Sequence, residues 1–193
     1  MQFVEGSFYH IYNRGNNKQM IFFEERNYEF FLNKVKQYVM PHANLLAWCL
    51  MPNHFHFLVQ ANQETQKIVK EMPVKINALT ESFRLMTSSY TRAIQKQEST
   101  VGSLFQQKTK FKCVDSYLTT AFHYIHQNPY RSGIVKKIED YPWSSMKEYV
   151  GLTIQNLCKQ DIAYQFINID KERILIDSYS VIPDEVIRKI EME

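Results

Sequence analysis

Cysteine is scarce and odd in number: Cys49, Cys113 and Cys158, with no Cys-x-x-Cys pair. That argues against a disulfide framework and a paired-cysteine zinc site, and points to a reducing, cytoplasmic setting. Glycine (5) and proline (6) are also few, so neither a collagen-like repeat nor a flexible linker fits. No run of about 18 apolar residues occurs, which excludes a membrane-spanning helix. Met1-Gln2-Phe3-Val4-Glu5-Gly6 has no basic stretch followed by an apolar one, so no signal peptide is expected. The rest of the composition is that of a globular protein, with 193 residues, 45% hydrophobic and 22% charged. A chain of this size buries roughly 70% of its unfolded surface, enough for a core without metal or disulfide staples.

The net charge is only +3, but it is unevenly spread. Residues 101–137 carry Lys108, Lys110, Lys112, Arg131, Lys136 and Lys137 against Asp115 alone, a net of +5. Residues 138–193 carry 6 basic and 11 acidic residues, a net of −5. A basic middle followed by an acidic tail suggests an anionic partner for the middle; a solvated lysine-rich surface would look the same.

The pattern along the chain gives an order of elements. Ser7 to Asn13 alternates and is aromatic, with Phe8, His10 and Tyr12 on one face, and reads as a strand. Residues 25–40 carry Tyr28, Phe31, Leu32, Val35, Tyr38 and Val39 at helical spacing, stopped by Pro41. Leu45 to Met51 reads as a buried strand, Pro52-Asn53 as a turn, and His54 to Gln60 as the second arm of a hairpin. After Pro73 a long helix is expected, with Leu79, Phe83, Met86 and Tyr90 on its apolar stripe. Lys108 to Val114 alternates, with Lys108, Lys110 and Lys112 on one face, and reads as a half-buried strand. A helix from Asp115 or Ser116 is expected to end at Asn128, before Pro129. The order strand, helix, strand, strand, helix, strand is the ferredoxin-like split βαβ pattern. The expected α+β fold is an antiparallel sheet with helices on one face and extra C-terminal helices. A main domain over residues 1–151 and an acidic helical extension over 152–193 are expected.

Two motifs carry chemistry. His54-Phe55-His56 lies within an expected strand, where residues i and i+2 share a face at about 6–7 Å. That spacing lets both imidazoles reach one metal ion, although a lone His-x-His is a weak signal. Cys49 across the hairpin leaves a cysteine–histidine zinc site conceivable, without a defined fourth ligand. On the helix that follows the basic strand, Tyr124 and Asn128 are four residues apart and share a face. A phenol with a pKa near 10 needs a polarised electrophile before it acts as a nucleophile. A metal held by His54, His56 and the Asn128 amide would polarise a scissile phosphate and orient it for in-line attack by Tyr124.

The segments FYHIYNRGNNKQMIF, AWCLMPNHFHFLV, SLFQQKTK and FHYIHQNPYRSGIVKKIEDYPWSS, in this order from about Phe8 to Gly151, resemble the REP-associated, insertion-sequence-type single-tyrosine (HUH) transposases. That family pairs a His-hydrophobe-His strand with a Tyr-Ile-x-x-Asn/Gln helix, here His54-Phe55-His56 and Tyr124-Ile125-His126-Gln127-Asn128. The resemblance implies a ferredoxin-like fold and a divalent metal, Mg²⁺ or Mn²⁺, held by His54, His56 and Asn128. It also implies single-stranded DNA cleavage and strand transfer through a 5′-phosphotyrosine on Tyr124. Gln127 points about 100° away from Asn128 on the helix, so Asn128 is the preferred amide. His123 and His126 are expected at the surface. Where relatives carry a Gly-Arg-Phe type segment, this chain reads Gln107-Lys108-Thr109-Lys110-Phe111 and keeps only the basic character.

The expected partner is single-stranded or hairpin DNA. Arg14, Lys108, Lys110, Lys112 and Arg131 are the phosphate-contact candidates, and Tyr12, Tyr130 and Trp143 are aromatics able to stack on bases. Two other classes compete with the nuclease. One is a domesticated hairpin-binding protein without turnover, which would not need all of His54, His56, Tyr124 and Asn128. The other is a small zinc hydrolase, which leaves Tyr124 and the basic strand unexplained. Either a homodimer or a monomer is compatible with the sequence.

Overall fold

The computed structural model describes residues 2–71, 73–153 and 155–191. The chain forms β1 (Phe8–Arg14), α1 (Glu25–Lys34), β2 (Ala43–Met51), β3 (His54–Ala61), β4 (Ile68–Lys70), β5 (Ile76–Asn77), α2 (Ala78–Glu98) and β6 (Lys110–Cys113). α3 (Leu118–Arg131), α4 (Met146–Tyr149), α5 (Gln160–Phe166), α6 (Ile174–Asp177) and α7 (Asp184–Glu191) follow. The main sheet has the order β2-β3-β1-β6 and every neighbouring pair is antiparallel. This is the ferredoxin-like arrangement expected from the order of elements, with β4 and β5 as a separate small ribbon.

Strand alternation divides the sheet's side chains between two faces. Phe55 and Phe57 of β3 meet Phe31 of α1 and Phe83 of α2, with ring centroids 5.3–6.4 Å apart. Ile11 and Asn13 of β1 stand opposite Phe57 and Phe55, so they share that face. α2 begins where Asn77 Oδ1 accepts the Thr80 amide at 3.0 Å. It buries Leu79, Phe83, Met86, Tyr90 and Ile94 along one stripe. The opposite face carries His10, Tyr12, His54 and His56, and α3 lies across it, with the Tyr124 ring 5.7 Å from that of His56. The extra helices thus cover the face that α1 and α2 leave open. The C-terminal segment joins the same core through Leu157, Ala163, Ile167, Ile174, Ile187 and Ile190.

Several local expectations need correction. α1 does not run on as a regular helix to Val39: Val35–Val39 form a widened π turn, closed by the Met40 amide on the Val35 carbonyl at 3.1 Å. The wider turn keeps both Val35 and Val39 buried. The basic strand is shorter than expected, because Lys108 lies in the bend before β6 and outside the ladder. α3 does not stop at Asn128 but carries Pro129 inside and ends at Arg131. The Ser132 amide closes that end on the Asn128 carbonyl at 3.0 Å. Asp115 does not cap α3. Its carboxylate accepts the Phe8 amide at 2.6 Å and ties the start of the helical segment to β1.

Candidate active site

The β1–β3–β6 register builds the floor of the site. Tyr12 stands opposite His56 on one side and Lys110 on the other, and Arg14 stands opposite His54. α3 supplies the roof. Tyr124 and Asn128 project from consecutive turns of its buried face. Together with His10, Asn13, Gln106 and Ser132 these residues line a cleft of about 320 Å³.

Within the cleft the two histidines of the strand motif sit edge to face, their ring centroids 4.9 Å apart. Each is oriented by a second polar group. His54 Nδ1 lies 2.6 Å from Asn53 Oδ1, so that nitrogen donates and Nε2 carries the lone pair. His56 Nδ1 lies 2.8 Å from His10 Nε2 inside the protein. His56 Nε2 is buried without a hydrogen-bond partner. In the tautomer with His56 Nδ1–H donating to His10, that Nε2 has a lone pair with nothing else to bind. The Asn128 side chain donates through Nδ2 to the Tyr124 carbonyl at 2.9 Å, which leaves its oxygen for the cleft, where it contacts His54.

These donors suit a divalent cation. Two imidazole lone pairs and an amide oxygen are its ordinary ligands, and an orphaned buried imidazole nitrogen is otherwise costly. Burial also keeps the imidazoles in their neutral, ligating form. It lowers His54 to a pKa of about 4, with Arg14 contributing. It lowers His56 well below the usual range, with His54, His10 and Arg14 adding to the effect. Among the described residues no group of three His, Cys, Asp or Glu is placed to hold a metal, so the amide is needed to complete the set. Cys49 pairs with His56 across β2–β3, but burial raises its thiol far above the usual range and it joins no such group.

The remaining candidates are placed as follows. Arg14 and Lys110 line the cleft. Lys108 does not; it lines a larger groove beside α2 that also includes Lys110. Lys112 lines a separate pocket with Tyr117 and with Glu185, Arg188 and Lys189 of α7. The three lysines therefore do not form one evenly spaced row. Arg131 is exposed on the last turn of α3 and is not among the residues lining the cleft. Gln127 donates to the Ser180 carbonyl at 2.8 Å, away from the cleft. His126 is not a surface residue: it is fully buried, 2.8 Å from Ser145 Oγ. His123 is half-buried, 2.8 Å from Ser178 Oγ. Of the aromatics, Trp143 stacks on Tyr28 at 4.5 Å, Tyr130 meets Tyr179 edge-on at 5.3 Å, and Tyr12 stacks on His10 at 4.8 Å. His10 lines the cleft although it was not among the residues expected there from the sequence. Its position on the Tyr12 face of β1 was the only available signal.

No protein-family model and no curated protein matches the sequence. One solved structure shares this fold over most of both chains. The structure of a REP-associated tyrosine transposase bound to a REP hairpin superposes with a TM-score of 0.60, over 81% of this chain and 87% of that one, at 15% identity. Two complexes of a bacterial tRNA(His) guanylyltransferase-like protein, with GTP and with ATP, reach a TM-score of 0.45 at 10% identity. They cover 69% and 72% of this chain, and 67% and 70% of theirs. The first likeness establishes the shared fold; the second is too slight to bear on function. Among the described residues, no helix is long and apolar enough to cross a membrane.

Proposed function

We propose that the chain is a metal-dependent endonuclease and strand transferase for single-stranded, hairpin-flanked DNA, with Tyr124 as nucleophile. The observation that carries this reading is the convergence of His54, His56, Tyr124 and Asn128, from a strand and a helix far apart in sequence, on one cleft that Arg14 and Lys110 also line. The solved transposase of the same fold is bound to a REP hairpin, which supports a DNA substrate.

His54 Nε2, His56 Nε2 and the Asn128 oxygen would hold Mg²⁺ or Mn²⁺. When bound, the cation neutralises charge on the phosphoryl oxygens of the scissile group. Arg14 and Lys110 add positive charge at the cleft wall and hold the phosphate against the sheet. The buried ring of Tyr124 is fixed edge-on to His10 and His56, so its hydroxyl approaches the phosphorus from the α3 side. The Tyr124 oxygen forms a bond to phosphorus as the bond to the 3′ oxygen breaks. The phenol loses its proton and the released 3′ oxygen gains one. The products are a 3′-hydroxyl strand and a 5′-phosphotyrosine, and attack by another 3′-hydroxyl reverses the step on a new partner.

The test is incubation with end-labelled hairpin DNA and Mn²⁺, followed by denaturing electrophoresis. A covalent protein–DNA band is expected for the wild type. Tyr124→Phe should remove it and leave hairpin affinity nearly unchanged, since only the hydroxyl is lost. An adduct that persists in the variant would assign the nucleophile elsewhere, with Tyr117 or Tyr130 next. Tight hairpin binding with no wild-type adduct would replace the nuclease with a hairpin-binding protein.

A further inference from the structure

An in-line displacement at phosphorus has two ends, and Tyr124 occupies only one of them. Its hydroxyl comes from the α3 side, so the departing 3′ oxygen leaves on the opposite side, toward the sheet. Negative charge builds on that oxygen as its bond to phosphorus breaks. An alkoxide is about as basic as hydroxide, whose conjugate acid has a pKa of about 15.7. Such a group leaves slowly unless a donor already stands where the charge develops.

The sheet floor of the cleft holds a second phenol. In the nuclease reading His54 and His56 hold the cation, and His10 is bonded to His56. Tyr12 lies between these histidines and the basic strand. Its register partners are His56 on β3 and Lys110 on β6, and it lines the same cleft as Tyr124. The ring is half-buried and held by two others. It stacks on His10 with centroids 4.8 Å apart and a 24° tilt, and its centroid is 6.0 Å from that of His56. A tyrosine has only two side-chain torsions, so ring contacts of this kind place its hydroxyl firmly. The ammonium of Lys110, on a long flexible stem, would lose far more freedom to be held at one point. Its charge across the strand pair still adds to the positive field on that side of the cleft.

We infer that the Tyr12 hydroxyl donates a hydrogen bond to the departing 3′ oxygen as the strand is cut, and to the attacking 3′ oxygen when the step runs in reverse. This role rests on the nuclease reading of the cleft and adds a second tyrosine with a different task. Tyr124 forms the bond to phosphorus; Tyr12 stabilises the oxygen whose bond breaks. Tyr12 keeps its own proton throughout. The released 3′ oxygen takes a proton from water, and the hydroxide left behind is neutralised by the proton that Tyr124 gave up. Stacking on a base, the other role open to Tyr12, uses its ring alone, so removal of the hydroxyl separates the two.

The test uses the full chain, Mn²⁺ and two hairpin oligonucleotides that differ only at the scissile phosphate. One is natural; the other has sulfur in place of the bridging 3′ oxygen. A thiol has a pKa of about 8.5 and its sulfur is a weak acceptor, so a thiolate leaves without a donor. Formation of the covalent adduct is followed under single-turnover conditions on denaturing gels. Tyr12→Phe keeps the ring and both of its stacking contacts. It should slow the natural substrate by about 10²–10³-fold, the usual effect of losing one such donor, and the sulfur substrate by less than about threefold. Hairpin affinity should be nearly unchanged. Equal slowing on both substrates, or no slowing on the natural one, would overturn the role of Tyr12 and leave the nuclease standing. Selective rescue by sulfur in Lys110→Met instead of Tyr12→Phe would move the donor to the lysine and likewise overturn it. A wild type that forms no adduct with either substrate would refute the nuclease reading itself, and the role of Tyr12 with it.

Discussion

His10 touches no expected ligand position except through His56, so its removal tests whether that contact matters. It is fully buried, and burial lowers its pKa to about 3, so it stands neutral beside His56. Its Nε2 is 2.8 Å from His56 Nδ1 and the rings stack at 5.0 Å with an 18° tilt. That contact orients His56, and with His10 Nε2 as the acceptor it leaves the lone pair of His56 on Nε2. Losing such a partner from a metal-ligating histidine costs about 10–100-fold in metal affinity, or about 1.4–2.7 kcal/mol. His10→Leu keeps an apolar body on β1 and removes the nitrogen, leaving His56 Nδ1 buried and unpaired at a cost of about 1–3 kcal/mol in folding. His10→Gln keeps a hydrogen-bonding group at that position. Mn²⁺ titration by calorimetry, and of nicking by gel, would be run on all three proteins after melting curves confirm their fold. The expected midpoints shift 10–100-fold for leucine and much less for glutamine. Equal Mn²⁺ affinity in three folded proteins would refute the view that His10 sets the state of His56.

Further outcomes follow from other contacts. Glu148 is buried, accepting Trp48 Nε1 at 2.9 Å and the Leu157 and Cys158 amides at 2.8 and 2.9 Å. Glu148→Ala strands three donors and should destabilise the fold by about 3–5 kcal/mol, read as a fall of roughly 10 °C or more in Tm. His126 has its pKa lowered to about 3 by burial, against about 6.5 when unfolded. Between those values the unfolded chain binds a proton that the folded chain refuses. Stability should therefore fall as pH drops from about 6.5 toward 3, by about 1.4 kcal/mol per pH unit from this residue. His126→Gln should flatten a plot of urea-unfolding free energy against pH by that amount; an unchanged slope would refute the assignment. A Cβ on Gly15 would meet the Gln19 carbonyl oxygen at 2.1 Å. Gly15→Ala should cost about 1–3 kcal/mol in chemical denaturation and loosen hydrogen exchange in residues 103–106, which Gln19 and Asn16 hold.

Local periodicity made much of this architecture legible. Period-two alternation put His54 and His56 on one face and Phe55 and Phe57 on the other. The four-residue spacing of Tyr124 and Asn128 put both on one side of α3. The rotation per residue was enough to turn Gln127 away from Asn128. What local pattern did not carry was pairing between distant segments. His10 becomes a partner of His56 only through the β1–β3 register, in which Tyr12 faces His56 and His10 comes two residue pairs further along, on the same face. Lys108 drops out of the strand because the chain bends there to follow β1 beyond Arg14. His123 and His126 looked like surface groups because their partners, Ser178 and Ser145, come from segments that no helical repeat connects to α3. Pro129 was read as a stop, although a proline in the last turn removes only one backbone bond and Ser132 closes the helix beyond it.

Three hydrogen bonds along α3 bear on how strand exchange would proceed. His123 to Ser178, His126 to Ser145 and Gln127 to Ser180 fasten the helix to the segments around it, and Ser145 is itself bonded to Trp48 of β2. Tyr124, the proposed nucleophile, rides on the helix that these bonds fasten. Swinging it to a second copy of the protein would first break all three bonds and expose Phe122 and Ile125. With the proposed chemistry, the covalently held DNA end therefore stays where it was cut, and the incoming 3′ end must travel to it. The choice between resealing the original strand and joining a new one then falls to DNA that diffuses past a stationary end. The rate of exchange would follow the local concentration of free 3′ ends, with no protein rearrangement to limit it.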